Sequence, residues 1–294
     1  MNLHGRQVSI WDGSFTRPVA RQYRISLCTT CMGRLHDLRQ TLPKNIEDNR
    51  DYPYLEFVIL DYNSDDGLEK WIRHNMMEHV ESGLLAYYRI TEPRYYTMSH
   101  SRNVAFLAAR GEIVNNVDAD NWTNAGFAAY LNRLANQCPS KAIFAKGKRL
   151  LHGRIGFFKH EWEALGGYDE RFDGYGHDDK DLLYRAWMTG FTLMWYGGRY
   201  VTRLSTPRAA KTARMRNKNR KQTEEANKAA SAQNLLRGRY RANDGLRWGA
   251  AMLVRNFQEQ LQVGRINPEN DPQACAGPPP EIHRPPGTIA RRLP

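Results

Sequence analysis

Two short acidic clusters hold the residues best suited to chemistry. Asp118-Ala119-Asp120 sets two carboxylates one residue apart at the end of the apolar run Glu112–Val117. In an extended chain, residues two apart project to the same face, so both carboxylates can aim at one point. Hard oxygen donors of this kind suit Mg²⁺ or Mn²⁺, which take one or two protein carboxylates and fill their shell with phosphate oxygens. A cation held there would neutralise a departing diphosphate as a Lewis acid. Standing alone, the triplet reads more readily as a solvated turn. The second cluster is His177-Asp178-Asp179-Lys180-Asp181. A carboxylate in it can take the proton of an alcohol nucleophile as the new bond forms. The same run also reads as the cap of a following helix.

The elements that must position these groups alternate along the first half of the chain. Strands are expected at Arg24–Thr29, Leu55–Asp61, Leu84–Ile90 and Glu112–Asp118. Helices are expected at about 35–48, at 67–81 behind the cap candidates Asp65 and Asp66, and at Ser99–Ala109. A β-α-β-α-β order implies an α/β fold with a mostly parallel sheet, right-handed crossovers and flanking helices. Ligands of such sheets lie beyond the carboxyl ends of the strands. The polar clusters Thr29-Thr30, Asp61–Asp66 and Asp118–Asp120 all fall there, and this position turns the acidic triplet from a turn into a candidate metal site. Further on, a helix at 124–137, a strand at 143–150, a helix at 182–189 and a strand at 191–196 complete the body.

These segments resemble family 2 glycosyltransferases, which have the GT-A fold, a Rossmann-like sheet that binds nucleotide-diphosphate sugars. Glu112–Asp120 looks like that family's strand and metal motif, Ile59–Gly67 like its second-strand motif, and Ser99–Ala105 like its Ala-Arg-Asn segment. The likeness covers about residues 24–204. It implies that Asp118 and Asp120 bind Mn²⁺ or Mg²⁺ and that Asp61 reaches the ribose or base. It also places Thr29, Asn63, Arg102, Asn103 and Asp118 around the nucleotide-sugar. An arginine beside a diphosphate makes charge-assisted, bidentate hydrogen bonds, which suits Arg102 to that role.

Gly166-Gly167-Tyr168-Asp169-Glu170, followed by Gly174-Tyr175-Gly176 and the second acidic cluster, is similar to the C-terminal segment of galactosyltransferase-like GT-A enzymes. That resemblance makes Asp179 the base of an inverting transfer and Asp178 a sugar binder, with Gly167 and Tyr175 lining the sugar site. Many relatives add a histidine ligand after the last strand. Tyr200-Val201-Thr202-Arg203 has none, which leaves His177 as the substitute metal ligand. An imidazole beside carboxylates is, however, more often a hydrogen-bonded loop residue. The activity implied is transfer of a sugar, from a UDP-sugar, to a hydroxyl of a glycan or lipid-linked acceptor. Two other readings stand beside it: a nucleotidyltransferase on a related sheet, and a non-catalytic module that binds nucleotides or anionic surfaces.

Charge divides the chain. Residues 1–207 hold 26 basic and 24 acidic side chains, 208–265 hold 14 and 4, and 266–294 hold 3 and 3. A nearly neutral body argues against a nucleic-acid groove. Four segments follow: an arm at 1–23, a catalytic body at 24–207, a basic helical extension at 208–265, and a proline-rich tail at 266–294 expected to be disordered. The extension, with Trp248, Met252, Leu253 and Phe257 as apolar anchors, could lie on an anionic membrane, grip an acidic polysaccharide, or pack on the body. Cys28-Thr-Thr-Cys31 sits at the first strand end and reads as structural or as lining the nucleotide base, rather than as redox-active. No apolar run is long enough to span a membrane, and the first residues lack a leader pattern. A cytoplasmic location is expected, at the inner face of a membrane if the basic extension attaches there.

Overall fold

The computed structural model describes residues 2–3, 6–146, 153–200, 202–266 and 288–291. β1 (Asn2–Leu3) and β2 (Arg6–Trp11) precede an alternating series. It runs β3 (Ile25–Cys31), α1 (Leu35–Asn49), β4 (Leu55–Tyr62), α2 (Leu68–Asn75), α3 (Met77–Glu81), β5 (Leu85–Ile90), α4 (Met98–Ala108) and β6 (Ile113–Asn116). After it come β7 (Asn121–Trp122), α5 (Phe127–Gln137), β8 (Ala142–Lys146), β9 (Ile155–Phe158), α6 (Lys159–Ala164), α7 (Asp178–Met188), β10 (Thr192–Tyr196) and β11 (Thr202–Arg203). The chain continues through α8 (Arg220–Leu236), β12 (Arg247–Arg255), β13 (Glu259–Ile266) and β14 (Thr288–Arg291).

The large sheet has the order β1-β2-β10-β8-β9-β6-β3-β4-β5-β12-β13. Its centre, β6-β3-β4-β5, is parallel throughout. The register Cys31↔Asp61 and Cys28↔Asn116 brings the carboxyl ends of three strands to one edge. Both faces are covered, as a parallel sheet requires. On β4, Val58 and Leu60 enter the core beneath α4, α6 and α7, whereas Phe57 and Ile59 enter the core beneath α1, α2, α3 and α5. Period-2 alternation on a strand apolar to both sides therefore builds two cores at once.

The expected strands and helices of residues 24–137 are present, with two differences there and one further along the chain. The helix at 67–81 is two pieces that meet at Met76. The fourth strand ends at Asn116, so Asp118-Ala119-Asp120 lies in the turn beyond it. Lastly, β9 is an unforeseen strand, antiparallel to both β6 and β8. The expected strand 143–150 is described only to Lys146. The arm at 1–23 enters the sheet, where β2 runs parallel to β10. Its irregular part is tied down by amides of α5. Gln137 Oε1 accepts from Thr16 N and Arg17 N at 2.9 Å, and Asn136 Oδ1 accepts from Ala20 N and Arg21 N at 3.0 Å. Most of the proline-rich tail lies outside the described residues, but 288–291 form a strand antiparallel to β2, not a disordered stretch.

The basic helical extension needs correction. Only 220–236 are α-helical, while 247–266 form a β-hairpin that extends the sheet from β5. A bulge between Trp248 and Ala251, with Gly249 at φ +58°, interrupts the alternation and hides the strand from a periodicity reading. Two of the supposed surface anchors, Trp248 and Leu253, are core residues at 1% exposure, and Trp248 stacks edge-on with Trp162 at 5.4 Å. Met252 is exposed, and Phe257 packs on Tyr87 beneath the Arg73 guanidinium. No helix among the described residues is long and apolar enough to cross a membrane.

Trp248→Ala should therefore cost about 3–5 kcal/mol of folding stability, the range for a deleted core aromatic. Equilibrium urea unfolding measures this. A change below ~0.5 kcal/mol would return the hairpin to the status of a surface appendage.

Candidate active site

Asp118 follows β6 in the turn where β3 and β6 end. Its side chain is 44% exposed and takes a hydrogen bond from Asn116 Nδ2 at 2.9 Å. Partial burial raises its pKa, but the guanidinium groups of Arg102 and Arg154, the Asn116 amide and the Lys211 ammonium outweigh burial and hold the carboxyl below its ordinary value. Asp118 is thus an accessible, ionised oxygen donor, which fits a hard divalent cation. Asp120 is only 7% exposed in its side chain and already faces two cations, Arg34 at 3.4 Å and Lys211 at 3.9 Å. Arg34 and Lys211 were not foreseen. Lys211 belongs to the stretch read as a separate appendage, and it is carried to the sheet edge by the chain that leaves β11.

Arg102, on α4, joins the two acidic clusters. One Nη lies 3.7 Å from Asp118 Oδ1, and the other forms a short ion pair with Asp178 at the start of α7. Both partners of that ion pair are 4% exposed in their side chains. The backbone at Gly153 is pressed against them, since a methyl there would meet an Arg102 Nη at 2.7 Å. Burial pushes Asp178 up to about 6 although Arg102 opposes it. Arg102 Nε and the buried Tyr168 hydroxyl have no hydrogen-bond partner among the described residues. Asp178 is therefore tied to Arg102 and not open to a sugar, which corrects its expected role.

α7 starts at Asp178, four residues before the expected 182, because carboxylates in a first turn suit the positive end of the helix dipole. Asp179 differs from its neighbour. It is half-buried, and among the described residues its carboxylate takes only the Lys180 backbone N–H, at 2.8 Å. It is the freer carboxylate of the pair. His177 precedes the helix at φ +71° and its ring packs against Tyr184. Burial, and then Lys180, lower its pKa. Among the described residues no three His, Cys, Asp or Glu side chains gather as a cation site, so Asp118, Asp120 and His177 do not form a ready ligand set.

Four other expected ligand residues are committed to the protein itself. Asp61 is fully buried, accepting from Tyr87 Oη at 2.6 Å and from Ser64 N at 2.7 Å; it shapes the 61–67 turn and is not open to a ribose. Burial, only partly offset by these bonds, raises its pKa. Thr29 donates its hydroxyl to Val117 O at 2.8 Å and ties β3 to the end of β6. Asn103 is spent on Tyr168 N, Tyr168 O and Glu170, which fixes the 166–170 loop. Gly167, at φ +67°, is a packing residue, since a Cβ there would stand 2.5 Å from Trp248. Asn63, at φ +59°, donates to Pro93 O. Tyr175 stays half-exposed, with the Arg220 guanidinium 4.3 Å above its ring. Cys28 and Cys31 are free, buried thiols on opposite faces of β3, in line with a structural role.

With this geometry in hand, the relatives can be compared. The PcManGT mannosyltransferase of Pyrobaculum calidifontis, solved with GDP-Man and Mn²⁺, superposes with a TM-score of 0.56 at 24% identity, covering 69% of this chain and 62% of that one. GalNAc-T7, solved with UDP, GalNAc and Mn²⁺, gives 0.53 at 15% identity, covering 63% and 45%. TarS of S. aureus gives 0.53 at 14% identity, covering 74% and 43%. The fold is GT-A. The chain thus spans less than two thirds of the length of these solved relatives. Residues 133–214 match the family model described as the N-terminal domain of galactosyltransferase. That span runs from α5 to the Arg214 strap and includes the Gly166–Glu170 loop, Tyr175 and Asp178-Asp179. No curated protein matches the chain. The GT-A frame sets Asp118 at the sheet's carboxyl edge with Arg102 behind it.

The pH dependence of the Arg102–Asp178 pair gives a test. Because Asp178 is raised in the fold, its own contribution to stability should fall as pH rises from about 4 through 6. Arg102→Met removes the one cation paired with Asp178 among the described residues. It should be destabilised by about 3–5 kcal/mol at pH 8, where the carboxylate is stranded, and clearly less at pH 5, where it can hold a proton. Urea unfolding at the two pH values checks both the size and the sign.

Proposed function

We propose that this chain is a metal-dependent glycosyltransferase. It would move a sugar from a nucleotide-diphosphate donor, a UDP-sugar, to a hydroxyl of a glycan or lipid-linked acceptor, with inversion. The observation that carries the reading is Asp118, an accessible carboxylate held ionised at the strand edge of a GT-A sheet. Arg102 lies behind it, and the freer carboxylate of Asp179 opens the helix whose first residue pairs with Arg102. Asp118 would be the principal ligand of Mn²⁺ or Mg²⁺, with Asp120 beside it. When bound, the cation would supply Lewis-acid stabilisation of the leaving diphosphate. Two of the superposed relatives were solved with Mn²⁺, one with GDP-Man and the other with UDP and GalNAc, which supports a metal-held nucleotide. The galactosyltransferase match over 133–214 supports a hexosyl donor and favours UDP.

The chain's own residues would divide the remaining work. Arg34 and Lys211 bring positive charge to the Asp120 side of the site, where a diphosphate would develop negative charge. Arg102, fixed by Asp178, would donate to a diphosphate oxygen from a guanidinium that cannot reorient. Asp179 would take the proton of the acceptor hydroxyl. The acceptor oxygen then bonds to the anomeric carbon as the bond from that carbon to the diphosphate oxygen breaks. The exposed half of Tyr175 would offer a flat surface to a sugar ring.

Calorimetric titration with UDP tests the binding half. Wild-type protein should bind UDP in the presence of Mn²⁺ and lose that binding with chelator. Asp118→Ala should bind at least tenfold more weakly, the loss expected when a principal metal ligand is removed. Asp179→Asn should keep Mn²⁺–UDP binding and lose transfer by 10²-fold or more, in line with removal of a general base. Metal-independent UDP binding of unchanged strength in Asp118→Ala would overturn the reading.

A further inference from the structure

Residues 205–223 contain seven cations, Arg208, Lys211, Arg214, Arg216, Lys218, Arg220 and Lys221, and no carboxylate. Two of these are paired with aspartates. Lys211 meets Asp120, and Arg214 makes a two-pronged pair with Asp65. Arg214 also holds its segment in place, because its carbonyl accepts from Tyr96 N at 2.9 Å. Arg216, Lys218 and Lys221 are exposed, and no carboxylate pairs with them among the described residues.

The position of these outward cations is fixed by contacts with the loop that carries Tyr175. Thr223 Oγ1 donates to Tyr175 O at 2.9 Å and accepts from Tyr175 N at 3.2 Å. Asn227 Nδ2 donates to Asp173 O and Gly176 O. The Arg220 guanidinium covers one face of the Tyr175 ring. Tyr175 itself lies within electrostatic reach of Asp118, Asp178 and Arg102. The basic surface is thus anchored to the acceptor side of the site. Glu224, the first carboxylate after the run, lies 3.6 Å from Lys180 and 3.9 Å from Arg220, and it offsets only part of the charge. A group of like charges this dense repels itself and stands ready for an anion. A lipid surface would want apolar side chains beside the cations. The exposed large apolar residue of α8, Leu236, lies at the far end of the helix, about 24 Å from Arg220 at ~1.5 Å per residue.

We propose that the acceptor is an anionic glycan, bearing carboxylate or phosphate groups, which lies along Lys218, Arg220 and Lys221 as its terminal sugar reaches Tyr175 and Asp179. This inference rests on the glycosyltransferase reading above. It adds the chemical class of the acceptor.

The test measures binding of labelled oligogalacturonate, of its carboxyl-reduced neutral counterpart, and of a phosphate-bearing oligosaccharide, each with Mn²⁺ and UDP present. At low ionic strength at least one anionic oligomer should bind tenfold or more tighter than the neutral one. The advantage should shrink towards nothing near 1 M salt, where the screening length is about 3 Å. The oligomer that binds tightest distinguishes carboxylate from phosphate. Lys218→Gln with Lys221→Gln should abolish the advantage and leave Mn²⁺–UDP binding unchanged. Equal affinity for anionic and neutral oligomers overturns the proposal. So does an anionic advantage that survives in the double variant. Vesicles of phosphatidylglycerol, but not phosphatidylcholine, that bind wild-type and not the variant while the oligomers show no charge preference would assign the surface to a membrane instead. Failure of wild-type protein to bind Mn²⁺–UDP would be a separate result, against the glycosyltransferase reading itself.

Discussion

A guanidinium and a carboxylate, both nearly removed from water, tie the two parts of the site together. Arg102 sits on the helix between the third and fourth parallel strands, and Asp178 opens a helix 76 residues later. Neither charge is stable alone at that depth, because a buried ion without its partner keeps most of its desolvation cost. The pair therefore sets how close α4 and α7 can come. Arg102 also lies 3.7 Å from Asp118, so the pair links the turn after β6 to the start of α7.

Five carboxylates that look alike in the sequence take different roles around this pair. Asp178 is consumed by Arg102 and Asp61 by Tyr87 and Ser64, while Asp120 is shared between Arg34 and Lys211. Asp118 and Asp179 are left with oxygens accessible to a ligand. Around them the protein spends amides on rigidity. Asn103 clamps the 166–170 loop, and Asn243 donates to Gly166 O and Tyr168 O from the chain before β12. Trp248 then fills the space that Gly167 leaves open. The C-terminal hairpin is in this way a wall of the site's scaffold, and its contribution passes through packing rather than through contact with a ligand.

The basic stretch takes on a different meaning once it is placed. It begins inside the site at Lys211, passes Arg214 on Asp65, and ends against the Tyr175 loop. One covalent run thus spans from Asp120 to the Tyr175 loop. Its charge is graded accordingly, with the inward cations matched to aspartates and the outward ones left to solvent.

The sequence by itself determined the alternating strands and helices from β3 to β6, their parallel arrangement, and the edge to which their polar ends point. These follow from local signals: alternation on buried strands, capping residues, and clusters of polar residues at strand ends. It also marked Asp118, Asp179 and Arg102 as candidates. It could not say which polar residues would be used up inside the protein. Thr29, Asp61, Asn103 and Asp178 were legible as polar groups at the right edge, but their partners lie 26 to 88 residues away, and only packing brings those partners within reach. The hairpin was hidden for a related reason, because one bulge at Gly249 breaks the alternation that would have announced it. Composition likewise marked 208–221 as basic, yet whether Lys211 faced solvent or Asp120 was decided by the path of the chain after β11. A charge is a property of the residue, and its function here depends on which opposite charge the fold places beside it.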